Sequence, residues 1–131
     1  MYKTVMVIDD TYIDRYVAEK NIKKFHFAEE VIVMESAISA LNYLENILNP
    51  DLVPQLIFLD IRMPEIDGFE FLARYSKLPD FIKTNCVVMM LTTSLNPSDH
   101  EKAKANEFVV GFLNKPLNQS KLSEISFLKE K

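Results

Sequence analysis

Three aspartates, a threonine and a lysine stand at the ends of short apolar runs, where an open parallel sheet carries its chemistry. Asp9 and Asp10 follow one run, Asp60 ends another, and Thr92 and Lys115 come just after two more. Taken singly, each has an ordinary interpretation, because carboxylates and hydroxyls often cap helices and a lysine commonly faces solvent. Their joint placement at four run ends favours one shared site.

Side chains of these types, brought together, suit phosphoryl transfer assisted by a divalent cation. Clustered carboxylates repel one another in a partly buried site, and a hard cation such as Mg²⁺, which prefers oxygen ligands, relieves that repulsion. An aspartate can act as the nucleophile and carry an aspartyl phosphate. A lysine ammonium and a threonine hydroxyl would then neutralise charge on the phosphoryl oxygens.

Five apolar runs, separated by amphipathic segments, are the elements that must position these residues. The predicted strands are 4–8, 31–34, 56–60, 86–91 and 108–113. The predicted helices are 12–25, 36–48, 68–77, 97–107 and a final helix near the end of the chain. The first has an apolar face of Ile13, Tyr16, Val17 and Ile22, and the second has a stripe of Ile38, Leu41, Leu44 and Leu48. Leu122, Ile125 and Leu128 mark the final helix.

Strand–helix alternation with wholly apolar strands predicts an α/β fold with helices on both faces of a parallel sheet. At this length we expect a flavodoxin-like, doubly wound, five-stranded sheet of order 2-1-3-4-5 with five helices. The switch point of that order lies between the first and third strands. Asp9, Asp10 and Asp60 end those two strands, so the fold predicts that they meet.

The fourth predicted helix has little apolar surface to hold it against the sheet. Asn96 and Pro97 are typical of a helix start, but Ala103 and Ala105 are the main apolar residues that this helix could bury in a core. Burying a large side chain contributes about 1.5–3 kcal/mol and an alanine far less. We therefore expect this helix to be weakly held and to respond when Thr92, just before it, moves.

Length and composition place limits on the function. The chain has 131 residues, which suits one domain, and a formal net charge of −4, which argues against a nucleic-acid partner. No apolar run is long enough to cross a bilayer and no secretory signal opens the chain, so no membrane partner is expected. The single cysteine, Cys86, lies in an apolar run and fits a reducing, cytoplasmic setting.

Four motifs together resemble the receiver domain of two-component response regulators, in particular the stand-alone, chemotaxis-type receivers. The motifs are Val7-Ile8-Asp9-Asp10, Leu59-Asp60-Ile61-Arg62-Met63-Pro64 with Asp67-Gly68, Leu91-Thr92-Thr93, and Phe112-Leu113-Asn114-Lys115-Pro116. The resemblance covers nearly the whole chain and is highly specific. It implies that residues 1–131 form one receiver domain without an output domain. It also implies that the protein is not an enzyme, except that it catalyses its own phosphorylation and dephosphorylation.

The resemblance implies a role for each residue of the acidic site. Asp60 would be the phospho-acceptor. Asp10, Asp60 and the backbone carbonyl of Arg62 would bind Mg²⁺ directly, and Asp9 would hold the metal through water. The phosphoryl donor would be a histidine kinase or a histidine phosphotransfer protein.

The same resemblance implies a switch that a downstream protein reads. Lys115 would contact the phosphoryl group, Thr92 would move to it, and Phe112, in place of the commoner tyrosine, would turn inward. Departures at Thr93, where a smaller residue is common, and at Asn106-Glu107, where Gly-Ala is common, affect the geometry of the switched state. The sequence does not name the kinase or the downstream protein, and does not decide between a monomer and a homodimer.

Three other classes of protein fit the sequence less well. A haloacid-dehalogenase-like, Mg²⁺-dependent phosphatase needs a second aspartate two positions after its nucleophile, where Asp9 has Thr11 and Asp10 has Tyr12. A flavodoxin-like cofactor binder needs a phosphate loop after the first strand, and the acidic segment there would repel a phosphate. A phosphate-independent pseudo-receiver that only binds partners is disfavoured because every site residue is present.

Overall fold

The computed structural model describes residues 1–93 and 96–125, and these residues form a five-stranded parallel sheet of order β2-β1-β3-β4-β5. The strands are β1 (Tyr2–Ile8), β2 (Ala28–Met34), β3 (Leu56–Asp60), β4 (Val87–Thr92) and β5 (Val109–Asn114). The helices are α1 (Tyr12–Lys24), α2 (Ala37–Glu45), α3 (Gly68–Tyr75), α4 (Asp80–Thr84), α5 (Pro97–Ala105) and α6 (Gln119–Ile125). The predicted fold class and strand order are confirmed.

Each strand contributes to two separate cores, one on each face of the sheet. In β1, Met6 and Ile8 pack with helices α2 to α5, whereas Val5 and Val7 pack with α1 and α6. All five residues of β3 are buried. Alternate side chains point to opposite faces of a strand, so burial on both faces explains why the central strands are apolar throughout.

The described residues contain one α-helix more than the five that were predicted. Leu78 and Pro79 follow the end of α3, and Pro79 then precedes the short helix α4. Helix α4 places Ile82 in the core with no exposed surface. The five predicted helices correspond to the five of seven or more residues, and the short α4 is additional. The prediction ended the third helix at about Lys77 and did not include α4, although a proline next to the first turn of a helix is favourable.

Helix α1 uses a narrower apolar face than the sequence suggested. Ala18 and Ile22 are its buried residues, while Ile13 and Tyr16 are 67% and 52% exposed. The buried residues lie four apart, on one stripe of the helix, and Ile13 and Tyr16 fall outside that stripe. The predicted core role of Ile13 and Tyr16 is therefore wrong, and both residues lie on the surface.

Three other predicted core positions also face solvent. Helix α2 ends at Glu45, so Leu48 lies beyond it and is 91% exposed, and Ile38 is on its outer side. Ala105 of α5 is exposed. Leu128, predicted for the last helix, lies outside the described residues. Within the described ranges, no helix has the length and apolar content needed to cross a bilayer.

Candidate active site

Three carboxylates meet where β1 and β3 end side by side. Ile8 of β1 pairs with Leu59 of β3, so the residues that follow them, Asp9 and Asp60, are neighbours across the sheet. Carboxylate oxygens of Asp9, Asp10 and Asp60 all lie within 4.8 Å of one another. Asp9 and Asp60 are buried, whereas Asp10 is exposed. The predicted acidic cluster is therefore present, with two carboxylates in the protein interior and the third at the rim.

Lys115 reaches this cluster from the loop after β5. Its ammonium lies 2.7 Å from Asp9 Oδ2, 2.9 Å from Asp14 Oδ2 and 3.4 Å from Asp60 Oδ1. Its backbone N–H donates to the carbonyl of Thr92, and a cis peptide bond joins it to Pro116. Burial alone would lower the pKa of Lys115, but the hydrogen bond to Asp14 and the negative charges of Asp60 and Asp9 outweigh it and raise that pKa. The side chain is therefore a permanent cation.

Asp60 has an unusually high affinity for a proton. Burial, and then the negative charge of Asp9, raise the pKa of Asp60 to about 7, and Lys115 opposes this rise only partly. Near neutral pH its carboxyl is therefore close to half protonated when no cation is bound. A divalent cation would favour the ionised form, which is also the nucleophilic form.

The oxygen atoms of the cluster fit a hard divalent cation. Asp9 Oδ2 is fully buried, and among the described residues no donor makes an aligned hydrogen bond to it, although Lys115 Nζ lies close by. A buried carboxylate oxygen without a hydrogen bond is costly unless something else neutralises it. Together with Asp10 and Asp60 it provides the all-oxygen set that such cations prefer.

Thr92 and Phe112 lie on the strands next to the cluster. Thr92 is the last residue of β4, is 1% exposed, and pairs in register with Asn114 of β5. Phe112 is half-buried on β5, and its ring stacks on that of His100 of α5 with 4.3 Å between centroids. The structure thus brings Asp9, Asp10, Asp60 and Lys115 together, and places Phe112 against α5.

Gly68 holds the loop after β3 against the end of that strand. A Cβ atom at this position would lie 2.7 Å from the backbone oxygen of Asp60, which is closer than two such atoms can approach. The Gly68 N–H donates to the carbonyl of Ile61, and Asp67 caps α3 by accepting from the N–H of Glu70. The Asp67-Gly68 pair therefore closes the loop that carries Arg62.

Arg62 makes a contact that the sequence did not indicate. Its Nη2 lies 2.5 Å from Asp99 Oδ2, and Asp99 is buried in the first turn of α5 although Arg62 is mainly exposed. Lys102 of α5 also lies over the ring of Phe69. The sparse apolar anchoring of α5 is confirmed, since Ala103 is its buried apolar residue, but an ion pair and two aromatic contacts hold it as well.

Asp14 also contacts the site, through Lys115, and sequence reasoning missed it. It lies in the first turn of α1, where an acidic residue is ordinary because it complements the helix dipole. Its position four residues after Asp10 was the one available signal, since this spacing returns to the same side of a helix. The contact with Lys115 spans 101 residues of sequence and no local pattern predicts it.

Comparisons with known proteins agree with this geometry. A family profile described as the response regulator receiver domain matches residues 5–126. The structure of a two component response regulator from Cytophaga hutchinsonii is similar, with a TM-score of 0.88 and 30% identity, and the match covers 98% of this chain and 96% of that one. Sensor histidine kinase CheAY of Helicobacter pylori is 26% identical over 92% of this chain, which spans only 14% of that protein.

A third relative is response regulator Rcp1 of Synechocystis, which is 29% identical over 74% of this chain and 66% of its own length. A crystal structure of the Mn²⁺-bound form of Rcp1 has a TM-score of 0.71 at 27% identity, and the match covers 98% of this chain and 91% of that one. The chain belongs to the response regulator receiver domains, which bind a divalent metal at an acidic pocket and act as phosphoacceptors with histidine kinases or phosphotransfer proteins.

Proposed function

We propose that Asp60 of this receiver accepts a phosphoryl group from a phosphohistidine of a histidine kinase or phosphotransfer protein. The observation that carries this proposal is the convergence of three carboxylates and the Lys115 ammonium at the ends of adjacent strands. A buried carboxylate with two acidic neighbours and a permanent cation beside it is arranged for an acyl phosphate. The membership of the family supports the same role.

The metal is proposed to be Mg²⁺, held by Asp9, Asp10, Asp60 and the backbone carbonyl of Arg62. When bound, it would neutralise negative charge on the carboxylates and on the phosphoryl oxygens. The exposed position of Asp10 suits a ligand at the rim of the site, where an incoming cation keeps several waters. The buried Asp9 Oδ2, which lacks an aligned donor, supports a ligand role for Asp9, direct or through a water.

In the proposed reaction an oxygen of Asp60 attacks the phosphorus atom, and the bond from phosphorus to the donor breaks. Lys115 lies where its charge can be shared between Asp60 and the phosphoryl oxygens. Thr92 is proposed to donate its hydroxyl to a phosphoryl oxygen. Movement of Thr92 would shift the start of α5 and allow the ring of Phe112 to leave its stack on His100, which changes the surface of α5, β5 and α6.

Labelling with a small phosphodonor tests the acceptor. Incubation with acetyl phosphate and Mg²⁺ is expected to add one phosphoryl group to the wild-type protein, measured by intact mass. Asp60→Asn should abolish this addition, while Asp51→Asn, which neutralises an exposed aspartate outside the site, should leave it unchanged. Equal labelling of Asp60→Asn would show that another residue is the acceptor, and an unlabelled wild type would favour a phosphate-independent pseudo-receiver.

Thermal unfolding tests the metal site separately. A cation that binds only the native state stabilises it by mass action, so millimolar Mg²⁺ should raise the melting temperature of the wild-type protein. Asp10→Asn should remove most of that rise. If Asp10→Asn shows the full response to Mg²⁺, Asp10 is not a ligand.

We also propose that the phosphorylated receiver signals through a downstream protein. The structure supports it through α5, whose contacts with Arg62 and Phe112 connect it to the loop and the strand that flank the acidic site. Beryllofluoride, which mimics the acyl phosphate, gives the test. A downstream protein should be captured from lysate by the wild type with beryllofluoride and not by Asp60→Asn.

A further inference from the structure

The ammonium of Lys115 is shared unequally among its three carboxylate neighbours. Its aligned side-chain hydrogen bond goes to Asp14, at 2.9 Å. Asp9 Oδ2 is nearer, at 2.7 Å, but receives no aligned hydrogen bond, and Asp60 Oδ1 is farthest, at 3.4 Å. The ammonium therefore lies between Asp9 and Asp14, and farthest from the carboxylate proposed to accept the phosphoryl group.

Asp14 is not one of the carboxylates that could share a cation with Asp60. The three acidic groups that meet within 4.8 Å are Asp9, Asp10 and Asp60. The described contact of Asp14 in the site is with Lys115, and its own side chain is 38% exposed. Any effect of Asp14 on the reaction is therefore expected to pass through the position of the Lys115 ammonium.

Phosphorylation changes what Lys115 has to neutralise. Forming the acyl phosphate joins an oxygen of Asp60 to phosphorus, breaks the bond to the leaving group, which departs with its electron pair, and adds negative charge beside Asp60. An ammonium that approaches the new phosphoryl oxygens stabilises them. To approach them, Lys115 must give up part of its hydrogen bond to Asp14.

We propose that Asp14 is a positioning residue that withholds the Lys115 ammonium from Asp60 and thereby slows phosphorylation of the acceptor. This inference rests on the proposed function, since it concerns the same reaction. It assigns a role in the reaction to a side chain of α1 that lies outside the four motifs of the site. Asp14 then sets the rate at which a given donor phosphorylates this receiver.

The rate of labelling by acetyl phosphate at saturating Mg²⁺ is the first test. Asp14→Asn should be labelled about fivefold faster than wild type, a typical size for coupling between contacting charges. Glu19→Gln removes one negative charge from the same helix at a residue paired with Lys23, and should stay close to wild type. Asp14→Glu, which keeps the charge, should restore slow labelling.

The outcomes separate this inference from the proposed function. A wild type that is not labelled at Asp60 overturns the proposed function, and this inference with it. If the wild type is labelled normally, three results overturn the role of Asp14 and leave the proposed function standing. These results are labelling of Asp14→Asn at the wild-type rate, slower labelling of Asp14→Asn, and an acceleration of Glu19→Gln as large as that of Asp14→Asn.

Mg²⁺ affinity, measured by calorimetry without any phosphodonor, is the second test. In Asp14→Asn the released ammonium moves toward Asp9 and Asp60 and competes with the cation, so Mg²⁺ should bind about fivefold more weakly. In a Lys115→Met background the same substitution should change the affinity less than about twofold, because only distant charge is lost. Lys115→Gln serves as the background if Lys115→Met does not fold. An equal change in both backgrounds would show that Asp14 does not act through Lys115.

Discussion

Replacing Asp60 with asparagine is expected to stabilise the metal-free protein, and to do so more strongly as the pH rises. The pKa of Asp60 is about 7 in the folded protein against an ordinary value of 3.8, so the folded state keeps this proton over a pH range in which the unfolded chain has lost it. Wild-type stability should therefore fall as the pH rises from about 4 to about 7, and become level above that. Asparagine is neutral at every pH and lacks this penalty.

The pKa difference of about 3 corresponds to about 4 kcal/mol at roughly 1.36 kcal/mol per pH unit. Other carboxylates become protonated in the acid part of that range, so the useful interval starts at about pH 5.5. Between about pH 5.5 and about pH 7 the penalty from Asp60 amounts to about 2 kcal/mol. Expressed as melting temperature, this is roughly 8 °C, at roughly 4 °C per kcal/mol for a domain of this size.

Urea unfolding of the wild type and Asp60→Asn, with a chelator present, measures this difference. The advantage of the variant in free energy of unfolding should grow by about 2 kcal/mol between about pH 5.5 and about pH 8. Taking the difference between the two proteins cancels the titration of histidines and of other carboxylates. A constant difference across this interval, or a less stable variant at the higher pH, would refute the argument that buried, mutually repelling carboxylates raise the pKa of Asp60.

Substitutions around the site are expected to have three further effects. Arg62→Met removes the ion pair to a buried carboxylate of α5, so it should lower the free energy of unfolding by about 1–3 kcal/mol and speed hydrogen exchange in α5. The control Arg74→Met breaks an exposed ion pair on α3 and should lower the free energy of unfolding by less than about 0.5 kcal/mol. Gly68→Ala forces a methyl group against the backbone oxygen of Asp60, so it should cost about 1–3 kcal/mol and weaken Mg²⁺ binding. Gly111→Ala, whose nearest neighbour would be a methionine sulfur at 3.4 Å, should be milder. With beryllofluoride, hydrogen exchange should change mainly in α5 and β5, and Thr92→Ala should blunt that change; protection confined to the acidic cluster would contradict the proposed switch.

The strand order and the acidic cluster could be predicted because both follow from local patterns. An apolar run buried on both faces indicates a central parallel strand, and the ends of such strands share one edge of the sheet. Asp9, Asp10, Asp60 and Lys115 were placed together by that argument alone, and the structure brings them within contact distance. The roles assigned to them, and the stand-alone character of the chain, stay predictions.

The contacts that were missed join residues that are distant in sequence. Arg62 and Asp99 are 37 residues apart, and Lys115 and Asp14 are 101 apart, so neither pair leaves a periodic signal. The apolar face of α1 was misjudged for a related reason. Large residues were counted as core, but the small residue Ala18 is buried together with Ile22, while Tyr16 faces outward.

Because the buried face of α1 is narrow, different residues of this helix stabilise the fold and form its outer surface. Ala18 and Ile22 attach the helix to the sheet, while Tyr12, Ile13 and Tyr16 are more than half exposed and remove little surface from water. Substitutions at the three outer positions therefore change the shape and polarity of the helix at small cost to stability. Sequence drift on this side of α1 can alter which proteins a receiver of this kind recognises while the fold and the acidic cluster stay the same.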